Sequence, residues 1–354
     1  MNKIRIVALL SVLATVVVAQ SAFAWTSLGR WKDNSYTLRA SSVSFANGSP
    51  WRSSLSTVAT TFNQNPSKLR VTQAYDDTKV RLNNFQNEVW FSNDSAHSPA
   101  VCYYWLNVSG WLRETDVVFW TGIPYTTSMN KTSLTSYGGN LRPFQTTALH
   151  EYGHSGGLGH ENDEYNIMGQ DWTHVTCNGN TARSYVGEDG ADGLHDIYGS
   201  ATGAFEDLSV TVFKRTGANG EYSTHGFCDV RTTGGALLPR ASDYEGQPRW
   251  IVSPGQTVSV EFTYENNGRS LLTHDIIFVT SLNNWISLYD YFTAPYWGQS
   301  VGRGDVMTTS YNVTIPNHLT PGTTYFLGVI ADWTDNHDEI SEANNMAYHV
   351  FQVQ

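Results

Sequence analysis

The spacing of apolar residues divides the chain into stretches of different kinds. Ile6–Ala19 is continuously apolar, behind Lys3 and Arg5 and ahead of Ala22-Phe23-Ala24. A basic start, a short apolar run and a small-x-small site make 1–24 a secretory signal peptide, with Trp25 as the mature first residue. The run is short for a bilayer span, and no second one follows. Leu55, Val58, Ala59 and Phe62 recur at helical spacing and predict a helix over Ser53–Asn63. Asn87–Phe91, Val101–Trp105 and Thr115–Trp120 read as strands. A second helix is predicted from Pro143 to about Gly156, with Phe144, Ala148 and Tyr152 as its apolar stripe.

Beyond the small-residue junction 199–203, strict alternation takes over. Leu208–Lys214, Thr257–Tyr264, Asp275–Val279, Thr309–Ile315, Thr324–Ala331 and Ala347–Val353 alternate apolar and polar residues, with turns such as Asn266-Asn267-Gly268 and Thr320-Pro321-Gly322 between them. Such strands without a convincing helix predict an all-β, antiparallel sandwich of immunoglobulin type. The reading is a signal peptide at 1–24, a domain mixing strands and helices at 25–203, and a β-sandwich at 204–354.

Composition narrows the function. The formal net charge of −11 argues against a nucleic-acid partner, whose phosphates demand basic stripes. Three cysteines, Cys102, Cys177 and Cys228, suit an oxidising compartment and leave one unpaired. Cys102–Cys177 would join two parts of the first domain, and Cys177–Cys228 would staple the two domains. The protein is expected to be secreted, extracellular or periplasmic, without a membrane anchor.

The chemistry lies in His150-Glu151-Tyr152-Gly153-His154-Ser155-Gly156-Gly157-Leu158-Gly159-His160. On a helix, His150 and His154 lie one turn apart on one face, so both imidazoles reach one metal ion. Glu151 projects roughly a hundred degrees around from His150, beside the metal, where a general base belongs. Gly157 ends the helix in a left-handed conformation and lets the chain return with His160 as third ligand. Three histidines leave one position open, the pattern of a catalytic zinc.

These residues match the signature HExxHxxGxxH at every fixed position, and the sequence thereby resembles the metzincin zinc endopeptidases. The resemblance covers about 25–200 and implies an α+β domain, a mixed twisted sheet beneath a zinc helix, whose edge strand holds the substrate peptide. It also implies that Met168, in Asn166-Ile167-Met168-Gly169, forms the turn beneath the metal. The short spacing from His160 to Met168 and the segment Gly193–Gly199 are similar to matrixins, whereas Glu161 is similar to astacins. Gln170 stands where astacins have a tyrosine, so no tyrosine switch is expected. Ile123–Leu141 has no histidine and supports no second zinc. No propeptide cysteine precedes the zinc helix.

Segments 258–268 and 338–345 resemble adhesion-related immunoglobulin-like domains of bacterial secreted proteins. Trp285, Tyr289, Tyr291, Tyr296 and Trp297 would either fill the sandwich core or form a platform for a glycan or surface protein. Calcium is possible but unsupported: Gly187–Asp192 reads as an acidic turn entering a helix rather than a calcium loop, and Asp332, Asp335, Asp338 and Glu339, which could cluster around calcium, read as a solvated turn. The functional expectation is a secreted zinc endopeptidase acting on protein or peptide substrates, with Glu151 as base and then acid. The rivals are an adhesive protein with a vestigial zinc domain and a zinc hydrolase of glycan amides.

Overall fold

The computed structural model of the chain describes residues 25–203 and 206–354. The expected signal peptide and the expected domain start at 204 lie outside the described residues. Among those residues no helix is long and apolar enough to cross a membrane.

Five strands form the first sheet: β1 (Ser35–Ser41), β2 (Arg70–Asp77), β3 (Glu88–Ser92), β4 (Ala100–Leu106) and β5 (Leu112–Trp120). Their order is β2-β1-β3-β5-β4, parallel except for β4, which runs antiparallel at one edge. Alternate residues, among them Leu38, Ala40, Val117 and Phe119, share a core with helices α1 (Pro50–Phe62) and α2 (Phe144–Ser155). The first helix starts where Ser49 Oγ accepts the Arg52 N–H at 3.2 Å and Pro50 has no N–H to satisfy. Phe144 anchors the second, its ring 4.9–6.2 Å from those of Phe45, Trp51, Phe91, Phe119 and Tyr125.

From Leu208 onward the chain builds two facing sheets. In one, Thr257–Asn266 pairs antiparallel with Leu208–Thr211, Val230–Thr232 and Val306–Thr314. The other contains, in spatial order, Arg249–Val252, Met346–Val353, Thr324–Ala331, Leu272–Ser281 and Tyr291–Val301. Val258, Val260, Phe262, Phe278, Val329 and Phe351 meet between them. Met129, Leu134, Tyr137, Tyr165, Val175, Cys177 and Ala182 belong to this same core, although they precede the junction. Lys131 follows them inward: fully buried, it donates to Tyr348 Oη at 2.7 Å and pairs with Glu245 at 2.9 Å.

These observations correct the expected fold class. In place of an α+β metzincin-like domain followed by an immunoglobulin-like sandwich, the described residues form a predominantly β chain, with twenty strands and three α-helices of 13, 12 and 12 residues. The cause lies in packing. The segment 129–182, expected to belong wholly to the first domain, buries much of its apolar surface against the later β-layers. The second unit also departs from an antiparallel sandwich, since Arg249–Val252 runs parallel to Met346–Val353.

Neither expected disulfide forms, because all three cysteines are free thiols. Cys102 lies on β4, Cys177 in the shared core and Cys228 against Thr263. Of the five aromatics, Tyr296 packs inward on Phe278 and Tyr311, whereas Trp285, Tyr289, Tyr291 and Trp297 are exposed.

A chain ending at Gly203 would leave Met129, Leu134, Tyr137, Tyr165, Val175, Cys177 and Ala182 without the later strands they pack against. It is expected to lose the cooperative urea transition of the mature protein, followed by near-UV circular dichroism. A sharp transition in the truncated chain would show that the shared core is dispensable.

Candidate metal centre

The second helix is buried on nearly every side, so its polar residues must find partners inside the protein. His150 and His154 are each 7% exposed and present their Nε2 atoms to each other at 3.0 Å. The helix stops at Gly156, and Gly157 follows with φ +104°. A Cβ on Gly157 would lie 2.2 Å from the carbonyl oxygen of Gly29, so only glycine fits. The segment Thr26–Leu28 holds the returning chain, with Leu28 N–H donating to Gly157 O and Gly159 N–H to Thr26 O, both at 2.7 Å. This return brings His160 Nε2 to 3.0 Å from His154 Nε2.

The outer ring nitrogens decide what the inner ones are. Nδ1 of His150 lies 2.7 Å from Ile167 O, and Nδ1 of His154 lies 2.8 Å from Leu158 O. His160 Nδ1 faces Glu221 Oε1 at 3.3 Å. Carbonyl oxygens only accept, so in His150 and His154 Nδ1 carries the proton and Nε2 offers a lone pair. Burial holds His150 down to about 3 and His154 well below the ordinary histidine range, with neighbouring imidazoles adding to it. The Nε2 lone pairs of His150 and His154 therefore face each other across 3.0 Å without a proton between them, a repulsive arrangement that a cation resolves. Two nitrogens at about 2.0–2.1 Å from one tetrahedral zinc lie roughly 3.3 Å apart, close to what is observed. The three histidines could hold one metal ion.

The turn Asn166–Gly169 supplies the floor. Asn166 Oδ1 accepts the Gly169 N–H at 2.5 Å and fixes the turn, which presents Ile167 O to His150. Met168 is fully buried, and its sulfur would lie 2.4 Å from a Cβ at Gly153, so it packs against the helix between the two ligands. Glu151, 4% exposed, faces the same cavity, and its Oε2 has no hydrogen-bond partner. Burial first, then the nearby Asp171 carboxylate, pushes its carboxyl up to about 8, while the Cys102 backbone N–H opposes the shift. A dication at the histidines would favour the ionised form.

The cavity, of about 540 Å³, has three walls. Pro99–Cys102, at the start of edge strand β4, forms one, and Gly169–Trp172 with Arg142 forms another. Arg142 is fixed by Asp171 Oδ1 at 2.5 Å and Thr147 Oγ1 at 2.9 Å, with Trp172 against its guanidinium. The third wall is a hairpin of Phe213–Asn219 and Tyr222–Phe227, contributed from beyond the junction. The sequence reading missed it, together with Arg142 and Glu221. The turn signal Asn219-Gly220 marks a hairpin, but nothing local in the sequence brings that hairpin to His160.

A second cluster, Asp192, His195 and Asp196 on helix α3 (Gly187–Tyr198), also has metal-binding atoms. Arg303 already occupies it, at 2.6 Å from Asp192, 3.0 Å from Asp196 and 2.8 Å from His195 Nδ1.

No protein-family model and no curated protein matches the chain. Among solved structures it is similar to a CARDB domain of a Pyrococcus furiosus protein in complex with di-metal ions, at 17% identity over 29% of this chain and 79% of that one, with a TM-score of 0.23. A solution structure of that CARDB domain matches at 15% identity, covering 43% of this chain and 97% of that one, with a TM-score of 0.25. A family 123 glycoside hydrolase from Clostridium perfringens matches at 11% identity over 29% of this chain and 22% of that one, with a TM-score of 0.19.

The depressed histidines set the acid behaviour of the metal-free protein. Their folded pKa lies below the unfolded value of about 6.5, so the unfolded chain binds more protons as pH falls. The stability they contribute is present above pH 6.5 and is lost on acidification towards pH 3. The urea midpoint of the metal-free protein is expected to fall more steeply over this window than that of His150→Gln. Parallel pH profiles would contradict the buried neutral imidazole.

Proposed function

We propose that the protein is a secreted zinc endopeptidase in which His150, His154 and His160 hold the ion and Glu151 moves the proton. The observation that carries the reading is the convergence of three Nε2 atoms, two of them set by Nδ1 bonds to backbone carbonyls and the third on a ring whose Nδ1 faces Glu221, beside a buried carboxylate oxygen without a partner. When bound, zinc supplies a Lewis acid that acidifies water and polarises a carbonyl.

The chain's own residues supply the rest. Glu151, with one free oxygen facing the cavity and a carboxyl raised by burial, takes a proton from water and returns it to the departing amine. Edge strand β4 offers unpaired backbone groups beside the cavity, a surface on which an extended peptide adds as a further strand. Met168 fixes the floor through van der Waals contact with the helix and takes no part in proton transfer. The sequence signature, similar to that of metzincin endopeptidases, supports a peptide as substrate, and the leader at 1–24 supports secretion.

The test uses the mature protein, its metal content and a quenched fluorescent peptide. Glu151→Ala is expected to retain zinc and lose at least roughly a hundredfold in kcat, as removal of a general base does. His154→Ala is expected to lose the metal itself. Full turnover in Glu151→Ala would refute the assigned base. Intact peptide despite a zinc-loaded native protein would favour a binding role or a glycan amide substrate.

A further inference from the structure

The hairpin Phe213–Asn219/Tyr222–Phe227 does more than border the cavity. Among the three histidines, His150 and His154 rest their Nδ1 atoms on backbone carbonyls, Ile167 O and Leu158 O. His160 Nδ1 instead faces a side chain, the Glu221 carboxylate, at ion-pair distance, 3.3 Å. That side chain lies 61 positions downstream, next to the hairpin tip Gly220, whose φ of +66° permits the tight turn. The adjacent Tyr222 ring lies 4.3 Å from the His160 ring, centroid to centroid.

The hairpin is docked at several points around the metal centre. Asn162, two residues after His160, donates to Gly220 O at 2.6 Å, and Arg215 Nε donates to Asn162 O at 2.8 Å. Gln170, two residues after Met168, accepts the His225 backbone N–H at 3.0 Å. A Cβ on Gly169 would come 1.8 Å from Ser223 Oγ, so the hairpin lies directly on the methionine turn. These contacts hold Glu221 at His160 although its side chain is 66% exposed.

We infer that Glu221 is a positioning residue of the metal centre, completing it from the C-terminal part of the chain by fixing the His160 imidazole with its Nε2 towards the ion. The inference rests on the zinc reading above. A carboxylate behind a ligating histidine fixes the tautomer, restricts ring rotation and makes the coordinating nitrogen more basic. His150 and His154 obtain the first two effects from the fixed backbone. His160, half-buried and beyond the helix end, obtains all three from one replaceable side chain.

The experiment compares mature native protein, Glu221→Ala and Glu221→Gln by zinc competition with a chromogenic chelator. The absorption of cobalt-substituted protein provides a second readout, sensitive to ligand geometry. Because Glu221 is exposed, the urea midpoint of all three metal-free proteins is expected to be the same, which separates ligand positioning from folding. Glu221→Ala is expected to raise the zinc dissociation constant by about 10–100-fold and to shift the cobalt bands. Glu221→Gln keeps an acceptor for Nδ1–H and is expected to fall between the two. Zinc affinity of Glu221→Ala within about twofold of native, with unchanged cobalt bands, would overturn the inference while leaving the zinc site standing. Failure of the native protein itself to bind zinc would overturn the reading beneath it.

Discussion

Three imidazoles can share a cation only if their lone pairs are held towards one point, and here the opposite ring nitrogens do the holding. Ile167 O and Leu158 O each take an Nδ1–H, and Glu221 Oε1 faces the third Nδ1 at 3.3 Å. The remaining architecture delivers those acceptors. The turn after His160 carries the first, the loop between helix and third histidine carries the second, and a hairpin about sixty positions downstream of His160 carries the third. Without them the rings would rotate or take a proton, and the 3.0 Å approaches between Nε2 atoms would disappear.

Close backbone approach is the second constraint. Gly153 admits the Met168 sulfur between His150 and His154, and Gly157 admits the Gly29 carbonyl at the helix end. Both tie the helix to segments distant in sequence. The helix can be short and buried nearly all round because the first sheet, the segment Thr26–Leu28 and the turn at Met168 each satisfy part of it. A short buried helix of this kind takes its stability from packing rather than from its own propensity.

Much of this was legible in the sequence because it is local. His150 and His154 at helical spacing, a glycine at the helix end and the periodicity of Leu55, Val58, Ala59 and Phe62 are short-range patterns, as are the alternating strands after Leu208. What escaped is non-local or unpatterned. The hairpin 213–227 reads Lys-Arg-Thr-Gly-Ala-Asn-Gly-Glu-Tyr-Ser-Thr-His-Gly between its two phenylalanines, with no alternation, since most of its residues are solvated or border the cavity. The shared core of 129–182 with the later sheets is invisible for a related reason: Tyr137, Tyr165 and Val175 are apolar whichever layer they meet. Fold class failed there, because a boundary drawn at a small-residue junction does not reveal packing across it.

The most direct test of the central claim is mass spectrometry of a mixed peptide library incubated with zinc-loaded mature protein. New internal peptide termini, absent when the metal is chelated and restored by adding it back, are the result this account requires. A library left intact by protein with a full zinc site would contradict it.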